Sequence, residues 1–454
     1  MSEKTNLTEG NISKQLIALA LPLIWGNILQ QLYNTVDSYI VGRYIGQAAF
    51  GAIGVAGSVM NLFIFVINGA CNGVSVIFGA LYGQKNWEKL RQESFLSLTF
   101  GVGITLILTT VGVLTLTPLL TLLQTPPEVL EYAKDYLAII FIGLAITFLY
   151  NWCAAVLRAV GNTAAALWVL VLAMVMNLVL DYIFVVHLHT GIAGTAIATV
   201  ISQMFSALVC LIYIRLRYPE LMFGRKDMVM DKKLLSETAS YSFTFAIHQS
   251  SIYIGKLLVQ GAVNMGGTEV ITAFSATQRI EGLANAFSNS NATAISVFVA
   301  QNRGAKKHER IREGFFKGAK LTILCGIMIS LVMPLIDTYV TKLLVPGASE
   351  NVLLHTTGYI FLVSVFYTLC FIGNAFVGLY RGIGLVNAPL VGTVVHISLR
   401  VIFSYLLVSR MGLAGVALAT GIGWIVVVII HSTIYMLRVK NPLKAGNLQF
   451  SLLK

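Results

Sequence analysis

The chain alternates long apolar stretches with short polar ones, and the apolar stretches are too long to be strands. A membrane-crossing helix needs about 20 predominantly apolar residues. Twelve stretches meet that length: 15–43, 48–82, 93–118, 128–157, 163–187, 192–216, 235–265, 269–301, 316–340, 352–380, 385–408 and 413–437. Several are longer than the bilayer requires, which predicts tilted or bent helices. Pro22 should bend the first, and Pro334 stands near the end of the ninth. Glycines recur at four-residue spacing, as in Gly42/Gly46, Gly69/Gly73 and Gly79/Gly83, a pattern that lets helix backbones approach closely. The expected fold class is an all-α polytopic membrane protein with 12 transmembrane helices.

Composition narrows this further. Of 454 residues, 57% are hydrophobic and 11% charged, against about 25% charged in soluble domains. That deficit excludes a large soluble helical protein. The segment Met1 to Lys14 is polar, contains Glu3 and Glu9, and lacks the basic start of a cleaved signal peptide, so the first apolar stretch should remain as an anchor. The net charge of +12 would suggest a nucleic-acid partner in a soluble protein. Here topology explains it, and no nucleic acid is expected. One set of loops and tails, including the terminal Lys4 and Lys454, holds 24 of the 31 basic residues; the alternate loops hold Arg43, Lys134, Lys342 and Arg410. Lys256, Arg279 and Arg400 fall inside apolar stretches. By the positive-inside rule, both termini are cytoplasmic and the chain is a multi-pass protein of the cell's inner (cytoplasmic) membrane. The five cysteines are isolated and show no metal or redox spacing.

The two halves repeat. Between stretches five and six the chain reads GIAGTAIAT (Gly191 to Thr199), and between eleven and twelve GLAGVALAT (Gly412 to Thr420), with six of nine positions identical at an offset of 221. Arg158 and Gly161 recur as Arg381 and Gly384 at an offset of 223. Six spans per half is even, so both halves enter the membrane in the same direction and form a parallel repeat. The predicted domains are an N-lobe at 1–217, a cytoplasmic linker at 218–233 and a C-lobe at 234–454.

Only three acids lie deep within the stretches: Asp37, Asp181 and Glu281. A charge at the bilayer centre costs about 2.5–3.5 kcal/mol even on the lenient insertion scale, so such residues are functional by default. Counting about 1.5 Å per helical residue puts Asp37, Asp181 and Thr199 at similar depth in the outer half, with Asn177 one turn below Asp181 on the same face. This all-oxygen set can ligate a hard cation, with Na⁺ taken by analogy to other hard ions, or share a proton between two like-charged neighbours. The alternative is two separate acids, each hydrogen-bonded structurally. In the second half the approximate counterpart of Asp37 is Lys256, and Arg400 and Ser404 stand for Asn177 and Asp181. That half should not bind a cation by the same route. Glu281 is expected to pair with Lys256, Arg279 or Arg400, or to act in substrate binding or gating. His248 and His396 read as hydrogen-bonded packing residues. No GxxxxGK[ST], HExxH or GxSxG motif occurs, so neither ATP-driven pumping nor hydrolysis has visible machinery, no cofactor is implied, and an enzyme is not expected.

These residues together resemble the multidrug and toxic compound extrusion (MATE) family, in its DinF-like and MepA-like branch. The resemblance is carried by Pro22, the NTVD run Asn34–Asp37 followed by Val41-Gly42, the LRAVGN run Leu157–Asn162, NLVLD at Asn177–Asp181, Thr199, and RIEG at Arg279–Gly282. It covers essentially the whole chain. It implies two six-helix lobes (the MATE fold) and export of cationic or amphipathic, drug-like compounds in exchange for H⁺ or Na⁺. It assigns Asp37, Asn177, Asp181 and Thr199 to the cation site, with Tyr136 beside them and Pro22 as a bend that moves with the ion. The acidic second-lobe site of some branches is absent, since Lys256 and Arg400 stand there. The expected function is that of a monomeric secondary antiporter; a flippase for lipid-linked saccharides of the same superfamily is the alternative.

Overall fold

A computed structural model describes residues 6–446, and each of the twelve apolar stretches is helical. Glu3, Lys4 and Lys454, used above in the charge pattern, lie outside the described residues. The helices are α1 (Ile12–Tyr44), α2 (Gln47–Gln84), α3 (Trp87–Leu122), α4 (Pro127–Ile142), α5 (Leu144–Ala159), α6 (Thr163–Asp181), α7 (Gly191–Arg217), α8 (Lys232–Asn264), α9 (Thr268–Gly304), α10 (His308–Leu344), α11 (Glu350–Ile383), α12 (Asn387–Met411), α13 (Leu413–Ile434) and the short α14 (Lys440–Lys444). No strand occurs among the described residues. Such a fold suits lipid, because a helix satisfies its backbone within its own segment.

By length and apolarity, nine helices among the described residues qualify as spans, with α4 and α5 together forming a tenth. The two other predicted spans became α8 and α9. At 33 and 37 residues they exceed the roughly 20 residues needed to cross, but they are too polar to qualify. Besides Lys256 on α8 and Arg279 and Glu281 on α9, α8 carries the run His248–Ser251 and α9 carries Asn285, Asn289 and Asn291.

The fourth predicted span is broken. α4 and α5 meet at Gly143 with a bend of 54°. Close packing accounts for the glycine at the break: a Cβ on Gly143 would stand 2.5 Å from Val200 of α7. α6 ends at Asp181 and continues as a π-helical turn, Tyr182–His187. Such a wide turn is a common mark of functional sites. The repeat is visible in the backbone, since Gly161 and Gly384 both take φ +84°, a conformation that disfavours a side chain.

Packing divides the chain into two compact units, Trp25–Ala246 and Asn6–Ile24 with the chain from Ile247 onward. The first and eighth helices therefore each belong to both. Pro22 lies three residues before the first unit begins on α1. In the first unit, Gly69 and Gly73 of α2 lie against Ala246 and Tyr241 of α8, and a Cβ on Gly69 would fall 2.6 Å from the Ala246 Cα. The buried Glu93 of α3 accepts from the Thr238 hydroxyl at 2.8 Å. The predicted linker forms two single 3₁₀ turns, Pro219–Leu221 and Arg225–Asp227. Its Asp227 accepts from the Gly224 N–H at 2.9 Å and from Arg91 Nε at 3.0 Å. These two contacts hold the Asp227 carboxyl below its usual range. In the second unit, Val259, Phe274, Tyr359, Phe371 and Val416 belong to the apolar core. The Leu7 carbonyl is held there by Asn302 and Arg310 at 3.1 and 3.0 Å.

Gly69→Val should destabilise the protein by at least about 1–3 kcal/mol, the range for overpacking a tight interface, because backbone atoms cannot move aside. Gly54→Ala, with nothing within 4 Å of the added carbon, should be neutral. Thermal unfolding of both variants in detergent reads the difference.

Candidate functional site

The first unit gathers its intramembrane polar groups in one place. Asp37 and Tyr33 lie four residues apart on α1 and therefore share a face. Asn177 and Asp181 stand in the same relation at the end of α6. Tyr136 comes from α4, just before the Gly143 break, and Thr199 from α7. Asp37, Tyr136, Asn177 and Asp181 are buried, with Asp181 at 0% exposure.

The contacts run through every member. The Asp37 and Asp181 carboxyl groups lie within hydrogen-bonding reach of each other. Tyr33 and Tyr136 stand close to both acids and to Thr199. Tyr33 Oη makes a short hydrogen bond to the Asn177 side chain. A carboxylate accepts only, so the amide orientation that satisfies both sides turns the Asn177 nitrogen to Asp181. It then donates to Oδ2 at 3.0 Å, while the amide oxygen accepts from the Thr199 N–H at 3.1 Å. Thr199 Oγ1 also donates to the Thr195 carbonyl at 3.0 Å.

Two atoms of this cluster stand out. Asp37 Oδ1 and Asp181 Oδ1 are buried and make no hydrogen bond. A buried carboxylate oxygen without a partner is unfavourable, and two in adjacent like-charged groups are more so. The arrangement favours a positive charge between the acids. Two carboxyls, one amide oxygen and three hydroxyls are hard oxygen donors, suited to a proton or an alkali cation. No group of three or more His, Cys, Asp or Glu among the described residues could hold a metal ion.

The structure thus brings together Asp37, Asn177, Asp181, Thr199 and Tyr136, the set assigned from sequence, and adds Tyr33. Tyr33 had a legible signal, its position one turn before Asp37. Pro22 is on the same helix, 15 residues earlier.

The second-unit charges behave differently from expectation. Glu281 is buried, but no ion pair joins it to Lys256, Arg279 or Arg400 among the described residues. It accepts from the Tyr367 hydroxyl at 3.1 Å and from Gln278 at 2.7 Å. Neutral donors from α11 and from its own helix reach the carboxylate, where sequence reasoning foresaw only charges. Arg279 is exposed. His248 is buried and packed as expected: Arg381 donates to Nδ1 at 3.3 Å, which leaves Nε2 to donate to Thr393 Oγ1 at 2.9 Å. His396 stacks on Trp424 at 6.1 Å, with its Nε2 unpartnered.

The profile of one protein family, MatE, matches this chain twice, at residues 22–183 and 245–406. The chain belongs to the MatE family. The two matches are offset by 223 residues at both ends, which establishes the duplication. This offset also corrects one pairing: it sets Lys256 opposite Tyr33 and Gln260 opposite Asp37, one helical turn from the assignment made from sequence. Among relatives of this MATE protein, the probable multidrug resistance protein YoeA of Bacillus subtilis is 28% identical over 69% of each chain. The probable multidrug resistance protein YpnP of the same organism is 26% identical over 92% of this chain and 94% of its own. In architecture, an outward-facing multidrug resistance MATE transporter of the MOP superfamily superposes with a TM-score of 0.90, at 21% identity over 99% of this chain and 100% of that one. The MATE fold and a multi-pass membrane protein follow.

Asp37→Asn and Asp181→Asn should each leave the fold intact. Each puts an amide donor beside the remaining acid, whose buried Oδ1 has no partner, so thermal unfolding in detergent at neutral pH should give a midpoint equal to or above that of the parent protein.

Proposed function

We propose that this MATE protein is a secondary active antiporter that exports cationic and amphipathic compounds in exchange for H⁺ or Na⁺. The observation that carries the reading is the pair of adjacent buried carboxyls with unpartnered oxygens, Asp37 Oδ1 and Asp181 Oδ1. Such a pair changes its net charge when a cation enters, and a charge change at membrane depth alters the free energy of the surrounding helices by several kcal/mol. Asp37, Asn177, Asp181, Thr199 and Tyr136 form the coupling site, with Tyr33 holding Asn177. A proton would be shared by the two carboxyls. A sodium ion would also take the amide and hydroxyl oxygens.

Pro22 supplies the moving part. A proline inside a helix removes one backbone hydrogen bond and favours a kink. Neutralising Asp37 on the same helix shifts the balance between a straighter and a more bent α1, and the cargo is released outward. The relatives' names support drug-like cargo. The charge pattern supports cytoplasmic termini and placement in the inner membrane, and the protein is read as a monomer.

Purified protein in proteoliposomes, loaded with a fluorescent organic cation, tests this under a pH gradient and a Na⁺ gradient applied separately. Efflux should follow one or both gradients. Asp37→Asn and Asp181→Asn should reduce it to background, and Pro22→Ala should slow it without loss of fold. Equal transport by both aspartate variants would overturn the site assignment. Cargo movement under neither gradient would favour the lipid-linked saccharide flippase, a reading the paired aspartates oppose and Lys256, Arg279 and Arg400 leave open.

A further inference from the structure

The repeat places a second polar cluster in the second unit, and its charge is inverted. At the family offset, Tyr136 corresponds to Tyr359, Asn177 to Arg400, Asp181 to Ser404 and Tyr33 to Lys256. The nine-residue repeat pairs Thr199 with Thr420. The tyrosine and threonine are kept. The acid and amide have become a hydroxyl and a guanidinium, and one tyrosine has become an ammonium.

These residues meet in space. Tyr359 of α11 lies beside Glu281, Arg400 and Thr420, and Lys256 of α8 lies within electrostatic range of Glu281 and Arg400. Tyr359 and Ser404 are both at 0% exposure. Two hydrogen-bonding groups four residues apart on α12 have no partner: Arg400 Nε and Ser404 Oγ. Arg400 Nε is a donor only, and the Ser404 hydroxyl can donate. Glu281 forms no ion pair with either base; its oxygens accept from Tyr367 and Gln278, and the Tyr359 hydroxyl stands beside it.

We infer that this cluster is a binding site for a small monovalent anion, either a carboxylate group of the transported compound or free chloride. Two bases against one acid leave a net positive charge. A cation would be repelled by Lys256 and Arg400, and a neutral guest would leave the guanidinium uncompensated, which is unfavourable inside a protein. An anion can accept from Arg400 Nε and Ser404 Oγ, which share one face of α12. The inference stands apart from the coupling mechanism, which uses the other unit.

The test uses the full-length protein in lipid nanodiscs at fixed Na⁺ concentration. A bulky sulfonate, neither a carboxylate nor a halide, is replaced stepwise by chloride or by benzoate, and the thermal unfolding midpoint is followed. The midpoint should rise and saturate. Lys256→Met and Arg400→Gln should weaken half-saturation by about tenfold or more, as expected for a lost charge-assisted hydrogen bond. Glu281→Gln should tighten it, because a repelling carboxylate is gone. A structural ion network would not produce opposite shifts. Saturation with chloride alone identifies an inorganic anion, and saturation with benzoate alone a carboxylate of the cargo. No response to either anion in the parent protein overturns the proposal, as does an unchanged response in Lys256→Met and Glu281→Gln, two variants that remain informative if Arg400→Gln fails to fold. Asp181→Asn should respond like the parent protein, so failure of the coupling reading and failure of this one are distinguishable.

Discussion

Inside a bilayer there is no water to satisfy a polar group, and that constraint organises the whole molecule. The backbone meets it by forming helices. The ionisable side chains meet it by gathering where several helices can contribute partners. Asp181 is fully buried at the end of α6, and its neighbours come from α1, α4, α6 and α7. Glu281 is buried on α9 and takes a donor from α11. α8 and α9, which carry Lys256, Arg279 and Glu281, are correspondingly the long helices too polar to read as spans by composition.

Duplication supplied two copies of this solution and let their chemistry diverge. Tyr136 and Thr199 persist as Tyr359 and Thr420, so the hydroxyl framework survives in both units. Replacing Asp181 by Ser404 and Asn177 by Arg400 inverts the charge at little change in side-chain scaffold. The divided helices follow the repeat as well. The unit boundary falls after Ile24 on α1 and after Ala246 on α8, nearly one repeat apart. A helix shared in this way ties the first unit's acids to a proline outside that unit, which is where the proposed coupling finds its lever.

Close backbone contact depends on small residues at particular points. Gly69 and Gly73 admit α8 against α2, and Gly143 admits Val200 of α7. The first pair was visible as a four-residue glycine spacing. Gly143 carried no such signal, because the reason for it stands on another helix, and so α4 and α5 read as one continuous span. The π-helical turn after Asp181 was equally hidden, since Tyr182–His187 has no distinctive composition.

The twelve helical stretches, the duplication and the intramembrane acids were decided by the sequence alone, because hydrophobic length, internal identity and a charge in an apolar run are local properties. Depth along a helix even brought Asp37, Asp181 and Thr199 to one level, with Asn177 one turn below. Which side chains touch was decided only by the tertiary structure. Tyr33 joined the site through Asn177, Glu281 took Tyr367 and Gln278 in place of a base, and Arg400 was left with an unmet donor. Those outcomes depend on how helices rotate and approach one another, and that is set by packing across the interface, not by the order of residues along any one helix.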